Sequence, residues 1–220
     1  MPVLHYHDVV LHAEDVASLD EGQWLTDSII EFHMEYLERN HQTPGNDVVT
    51  LLRPGMVQLL SHTQEDVTAL KPVLPPSLST SQAVFMPIND GVPESAYSGS
   101  HWSLLVYLHQ TQKCYHYDSI RDSNLDQARL TAQRLSSLLE LPRPISVIPM
   151  ACPQQTNGAD CGVHVIALVD YFVRKIQETS DIETLVSVDS DEIAATSMVR
   201  KRLLSVIKDE SHERKFLDQS

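Results

Sequence analysis

Gln154-Gln155-Thr156-Asn157-Gly158-Ala159-Asp160-Cys161-Gly162 runs directly into an apolar segment carrying Val163, Val165, Ile166, Leu168 and Val169. A thiol between a polar, glycine-containing loop and an apolar run is the pattern of a cysteine at a helix N-terminus. The unpaired N–H groups and positive dipole end of a helix favour thiolate over thiol. Six positions upstream, Gln155 brings an amide donor suited to a developing oxyanion. Two earlier residues complete the set: His101 opens one strand-like run and Asp118 closes another. Thiol, imidazole, carboxylate and amide donor are what a cysteine hydrolase requires.

Outward from that stretch, helices alternate with strands. Ser28 with Glu31 three residues on has the form of a capping box, opening a helix to about Asn40 that buries Ile29, Ile30, His33 or Met34, and Leu37. Asp47 to Leu52 forms a short strand, and Pro54 suits the first turn of a helix through Leu60. A short helix spans Glu65 to Leu70, and the Pro- and Ser-rich stretch from Pro72 to Ser81 is loop. Strands follow at 83–88, 101–108 and 113–118, the last two joined by a hairpin-length connection, His109 to Gln112. Leu125, Ala128, Ala132, Leu135 and Leu139 recur at helical spacing, and Ile145 to Ile148 is a further strand. Long helices run from Cys161 to about Glu178 and from about Asp191 to Lys208. The whole predicts an α+β fold with a mostly antiparallel central sheet, in one catalytic domain over 1–220. A short arm occupies about 1–20, and the acidic stretch 180–192 is a solvated connection.

Composition narrows the function. At 220 residues and 42% hydrophobic content the chain can bury a substantial core. No apolar run approaches the roughly 20 residues of a membrane helix, and the first residues lack the pattern of a secretory signal. Three cysteines, none in a CxxC spacing, point to a reducing compartment, cytoplasmic or nuclear. The net charge of −14 argues against nucleic acid or an anionic membrane as partner, and for a neutral or basic protein surface. No metal-ligand spacing and no phosphate-binding loop occur, so neither metal nor cofactor is expected.

Other residues compete for the same roles. Cys114 falls within a strand and Cys152 precedes Pro153 in a loop without a partner; both read as ordinary small residues. Of the 11 histidines, His164 lies one helical turn past Cys161 and His116 shares a strand face with Cys114 and Asp118. Each reads as a packed polar residue.

The order His101-Trp102, Asp118, Gln155, Cys161 resembles the sentrin/SUMO-specific protease family, papain-like cysteine proteases that remove ubiquitin-like modifiers. The likeness covers nearly the whole chain: Trp24-Leu25-Thr26-Asp27 resembles the family's Trp-Leu-Asn-Asp entry motif, with Thr26 in place of Asn. Within the family the chain is most similar to the deneddylase branch. Ile88-Asn89-Asp90 precedes a long Gly-rich loop, Gly99-Ser100-His101-Trp102 follows it, and the N-terminal arm is short. The resemblance implies Cys161 as nucleophile, His101 as base and later acid, Asp118 as orienting carboxylate, and Gln155 with the Cys161 N–H as oxyanion hole. It implies a substrate channel formed by Trp24, Asp27, Asn89, Asp90 and Trp102, with Trp102 over a diglycine tail. The partner implied is the neddylation modifier with its protein conjugates, met by a monomeric enzyme. SUMO deconjugation and a catalytically idle binding module of the same fold are the alternatives. The loop from Asn89 to Ser100 is expected to act as a lid, closing over substrate and settling His101.

Overall fold

The apolar runs of the central strands are continuous because both faces of their sheet are covered. In chain order the elements are β1 (Leu4–Tyr6), β2 (Val9–Leu11), α1 (Ala13–Ala17), α2 (Asp27–His41), β3 (Val49–Leu51), α3 (Pro54–His62), β4 (Ala83–Asn89), β5 (Trp102–Leu108), β6 (Lys113–Tyr117), α4 (Leu125–Leu138), β7 (Ser146–Met150), α5 (Cys161–Glu178), α6 (Ile182–Val186) and α7 (Thr196–Leu217). This computed structural model describes residues 2–41, 48–63, 65–92, 98–179 and 181–217. Asp47, the predicted start of β3, lies outside the described residues.

The chain is α+β. Its five-stranded sheet runs β3-β4-β5-β6-β7, and β1 and β2 form a separate antiparallel pair. β4 and β6 flank β5 antiparallel, but the outer strands β3 and β7 are parallel to their neighbours, so the sheet is mixed and not mostly antiparallel as expected. Alternation along the strands sorts side chains into two cores. Phe85, Leu104, Val106, Tyr115 and Tyr117 face α2, α5 and α7. Val84, Met86, Leu105, Tyr107 and Cys114 face α3 and α4. Fully burying a side chain of this size stabilises by roughly 2–3 kcal/mol against leaving it exposed. α5 sits under the first face with almost every residue from Cys161 to Val173 buried.

Several local expectations shift. α2 begins at Asp27, ahead of the predicted cap Ser28, and the Thr26 carbonyl accepts the Ile29 N–H. The Thr26 hydroxyl instead reaches the Asp15 carboxylate, 2.7 Å. The helix expected over 65–70 is a 3-10 helix, Val67–Val73, and the Pro-rich loop contains a second, Pro76–Ser79, that buries Leu78. β7 continues past the predicted Ile148 to Met150, and as an edge strand it tolerates Pro149. The N-terminal hairpin puts Leu4, Tyr6, Val9 and Leu11 into the core.

The acidic stretch is more than a solvated connection. It holds α6, buries Leu185, and offers the Val186 and Ser187 carbonyls to the Tyr117 and Tyr171 hydroxyls. α7 starts at Thr196, later than the predicted Asp191, and runs to Leu217. No helix among the described residues is long and apolar enough to cross a membrane.

Candidate active site

Three segments converge at the head of α5. β5 begins at Trp102, so His101 stands at its mouth; β6 ends at Tyr117, so Asp118 stands just past its end. Because β5 and β6 pair antiparallel with Leu104 opposite Tyr117, their two ends meet on the same edge. His101 Nε2 lies 2.6 Å from Asp118 Oδ1, and both side chains are buried. With Nε2 taken by Asp118, Nδ1 is the ring nitrogen left for Cys161, whose thiol is among the groups that raise the imidazole. Burial opposes charge on His101, but the bonds to Asp118 and Cys161 outweigh it and raise the imidazole from 6.5 to about 9.

Asp118 is held from three sides. Besides His101, its carboxylate accepts the backbone N–H of Ile120 and of Asn124, each at 2.9 Å. Burial pushes its pKa up, and these donors together with His101 more than reverse that, leaving it below the usual range. The Asn124 side chain adds to this hold, because its amide donates to the carbonyls of Ile88 (3.2 Å) and His101 (3.1 Å). Both members of the pair are thus tied to the first turn of α4.

Gln155 has a fixed orientation. The Ser119 hydroxyl donates to Oε1 at 2.7 Å, which identifies the other end of the amide as the donor. Nε2 gives one proton to the Asn157 carbonyl at 2.7 Å and has a second. The turn before Cys161 is built by Asn157, whose Oδ1 accepts the N–H groups of Ala159 and Asp160. Among the described residues no side chain caps α5, so the N–H groups of its first turn are left to the site. Cys161 is 4% exposed and lines a groove of about 680 Å³.

The groove runs between Trp24, Leu25 and Asp27 on one side and Asn89, Gly91, Gly99 and Trp102 on the other, with Leu59 of α3 along it. Four of the five residues expected in a channel therefore line it. Asp90 is the exception: its carboxylate turns inward to Ser100 and to the backbone N–H of His101 at 2.9 Å. It braces His101 and, among the described residues, is not one of those lining the groove. Residues 93–97 of the expected lid lie outside the described residues. Gly99 is needed for close approach, since a Cβ there would stand 1.8 Å from Asn89 Oδ1.

The competing residues are buried or bonded elsewhere. His116 Nε2 pairs with Ser103 Oγ at 2.9 Å, and burial lowers its pKa. His164 is likewise buried and lowered. Burial drives the Cys114 thiol far up. Cys152, expected to lack a partner, donates to the Asp118 carbonyl at 3.3 Å, and burial raises it to about 11. Ser119 and Asn124 hold the site together without any mark in the sequence pattern that singles them out. Ser119 at least adjoins Asp118 in the chain; Asn124 acts through contacts that no local pattern encodes.

The model of the Ulp1 protease family, C-terminal catalytic domain, matches residues 23–205. NEDD8-specific protease 1 of Schizosaccharomyces pombe is 37% identical over 179 residues, covering 79% of this chain and 42% of that protein. The chain thus spans less than half of that relative. Sentrin-specific protease 8 of Homo sapiens is 34% identical over 182 residues, 80% of this chain and 85% of that one. Among solved structures, the C-terminal Ulp1 protease domain in complex with Smt3, the yeast ortholog of SUMO, is similar in fold. Its TM-score is 0.69 at 18% identity, over 96% of this chain and 88% of that one. With a thiol, its imidazole and an orienting carboxylate already joined at the head of α5, the match over most of the chain assigns it to the Ulp1 protease family of cysteine peptidases.

Proposed function

We propose that this enzyme is a deneddylase, a cysteine isopeptidase that cleaves after the C-terminal Gly-Gly of the neddylation modifier, both in conjugates and in the precursor. The observation that carries it is the groove, lined by Trp24, Trp102 and Cys161, with Asn89 pressed against Gly99. Such a channel suits an extended tail without side chains. The name of the fission-yeast relative, NEDD8-specific protease 1, favours the neddylation modifier over SUMO. A surface with net charge −14 is also a poor match for an acidic modifier that needs basic contacts.

The chemistry follows from the geometry. Cys161 gives its proton to His101, and its sulfur attacks the terminal glycine carbonyl. The oxyanion formed is met by Gln155 Nε2–H and the Cys161 N–H, a contribution of about 3 kcal/mol per donor in comparable sites. The tetrahedral species collapses, the C–N bond breaks, and His101 protonates the leaving amine. Water, deprotonated by His101, then opens the thioester, returning the thiol and releasing the glycine carboxylate. Asp118 keeps the ring in place and stabilises its charged form throughout. A cytoplasmic or nuclear location, where thiols stay reduced, fits this role and is checked by cell fractionation.

The test uses C-terminal electrophilic probes of the neddylation modifier, SUMO and ubiquitin. The first should label Cys161, and fusions of it should be cut at least about tenfold faster than SUMO fusions. Equal or faster turnover of SUMO fusions would reverse the assignment within the family.

A further inference from the structure

The residue immediately before the nucleophile is an acid, and a buried cation on the last helix is committed to it. Arg200 of α7 is 5% exposed. Its Nε and Nη2 donate to Asp160 Oδ1 at 3.2 and 2.7 Å. The rest of the guanidinium binds the carbonyls of Ser18 (2.9 Å), Asp20 (3.0 Å) and Gln23 (2.8 Å). The carbonyl of Asp160 accepts the His164 N–H inside α5, so its backbone belongs to the helix head that carries Cys161.

An acid at a helix N-terminus is ordinarily favourable. Here the same helix end must serve the thiolate of Cys161 and the oxyanion, and a bare carboxylate next door would oppose both. The side-chain amide of Asn157, at 2.9 Å from Oδ2, and the Thr196 hydroxyl also hold Asp160, but both are neutral. Among the described residues that bond Asp160, only Arg200 cancels its charge. The carbonyls on its other side end at Gln23, next to Trp24, whose indole donates to Gly158 at 2.7 Å in the turn before Cys161. We infer that Arg200 is a positioning residue: it neutralises Asp160 so that the head of α5 stabilises anions, and it locks the groove wall at Trp24 to the nucleophile turn. This rests on Cys161 being the nucleophile, and not on which modifier is cleaved.

The experiment measures kcat and KM on the preferred modifier fusion, thermal midpoint, and the rate of Cys161 alkylation by iodoacetamide located by peptide mass spectrometry. Arg200→Met should lower kcat about 30-fold and alkylation about tenfold in folded protein. Arg200→Lys keeps the charge but not the fork, so it should recover most of kcat while the midpoint stays low. In Arg200→Met/Asp160→Asn the anion is gone, and alkylation should return toward the parent rate. If Arg200→Met does not fold, Arg200→Gln, with amide donors and no charge, takes its place. Parent-like kcat and alkylation in the folded neutral variant would overturn the proposal, as would equal losses in the Lys and Met variants. Iodoacetamide involves no modifier, so an error in substrate assignment would leave the alkylation results intact.

Discussion

The two ends of the active site are held in opposite ways. At the chemical end each group has fixed partners: Asp118 accepts from His101, Ile120 and Asn124, and Gln155 is clamped between Ser119 and Asn157. At the groove end, Trp24 is 55% exposed and Leu59 45%, with the Trp24 indole bonded only at its nitrogen, to Gly158. Rigidity lies where charge develops, because donors that are already oriented need no reorganisation during the reaction. Apolar area lies where a partner has yet to cover it. The chemical end should therefore respond to mutation in kcat, and the groove end in KM.

The largest effects should come from the chemical end. Cys161→Ala is expected to abolish cleavage of a modifier fusion while leaving binding by calorimetry close to that of the parent. Gln155→Ala, which removes one oxyanion donor, should cost about 100-fold in kcat with little change in KM. If more than a few per cent of activity survived Cys161→Ala and vanished in Cys152→Ala, the two ends would have been drawn around the wrong sulfur.

The two ends should also differ in their response to pH. His101 is raised to about 9 from its ordinary 6.5. The stability contributed by its charged form is therefore full below about 6.5 and is lost as pH rises through about 9. Activity that needs the imidazolium should fall along the same alkaline limb of kcat/KM. In Asp118→Asn, which removes the main group lifting the pKa, that limb should move to lower pH. An alkaline limb unmoved by this substitution would separate His101 from the chemistry. Substitutions in the groove should leave the limb where it is.

The smallest effect is expected at the groove. Trp24→Ala should raise KM about tenfold with kcat nearly unchanged, since a wall contact is made equally in ground and transition states. A fall in kcat as large as that of Gln155→Ala would show that the groove wall also shapes the chemical end. The bond from Trp24 to Gly158 is the contact through which that would act.

The chemical end was largely legible in the chain. Cys161, His101, Asp118 and Gln155 are the residue types this chemistry demands, and the first three stand at the start or end of elements that periodicity marks. Other expectations failed where local pattern competes with packing. The 180–192 stretch is acidic enough to read as solvated, yet Leu185 finds a place in the core and the chain carbonyls find tyrosine hydroxyls. Asp90 has the chemistry of a substrate contact, but its carboxylate is taken up by the backbone of His101 instead of the groove.

The candidate thiol, imidazole and carboxylate and the α+β alternation can be read along the chain, because residue type and the periods of strand and helix are local properties. Which donors orient them depends on the folded chain. Asn124 reaches His101, Ser119 reaches Gln155, and Arg200 reaches Asp160 from 40 residues away. A hydrogen bond is specified by distance and angle in space, and strand pairing and helix packing set those coordinates only once the whole chain has closed on its two cores.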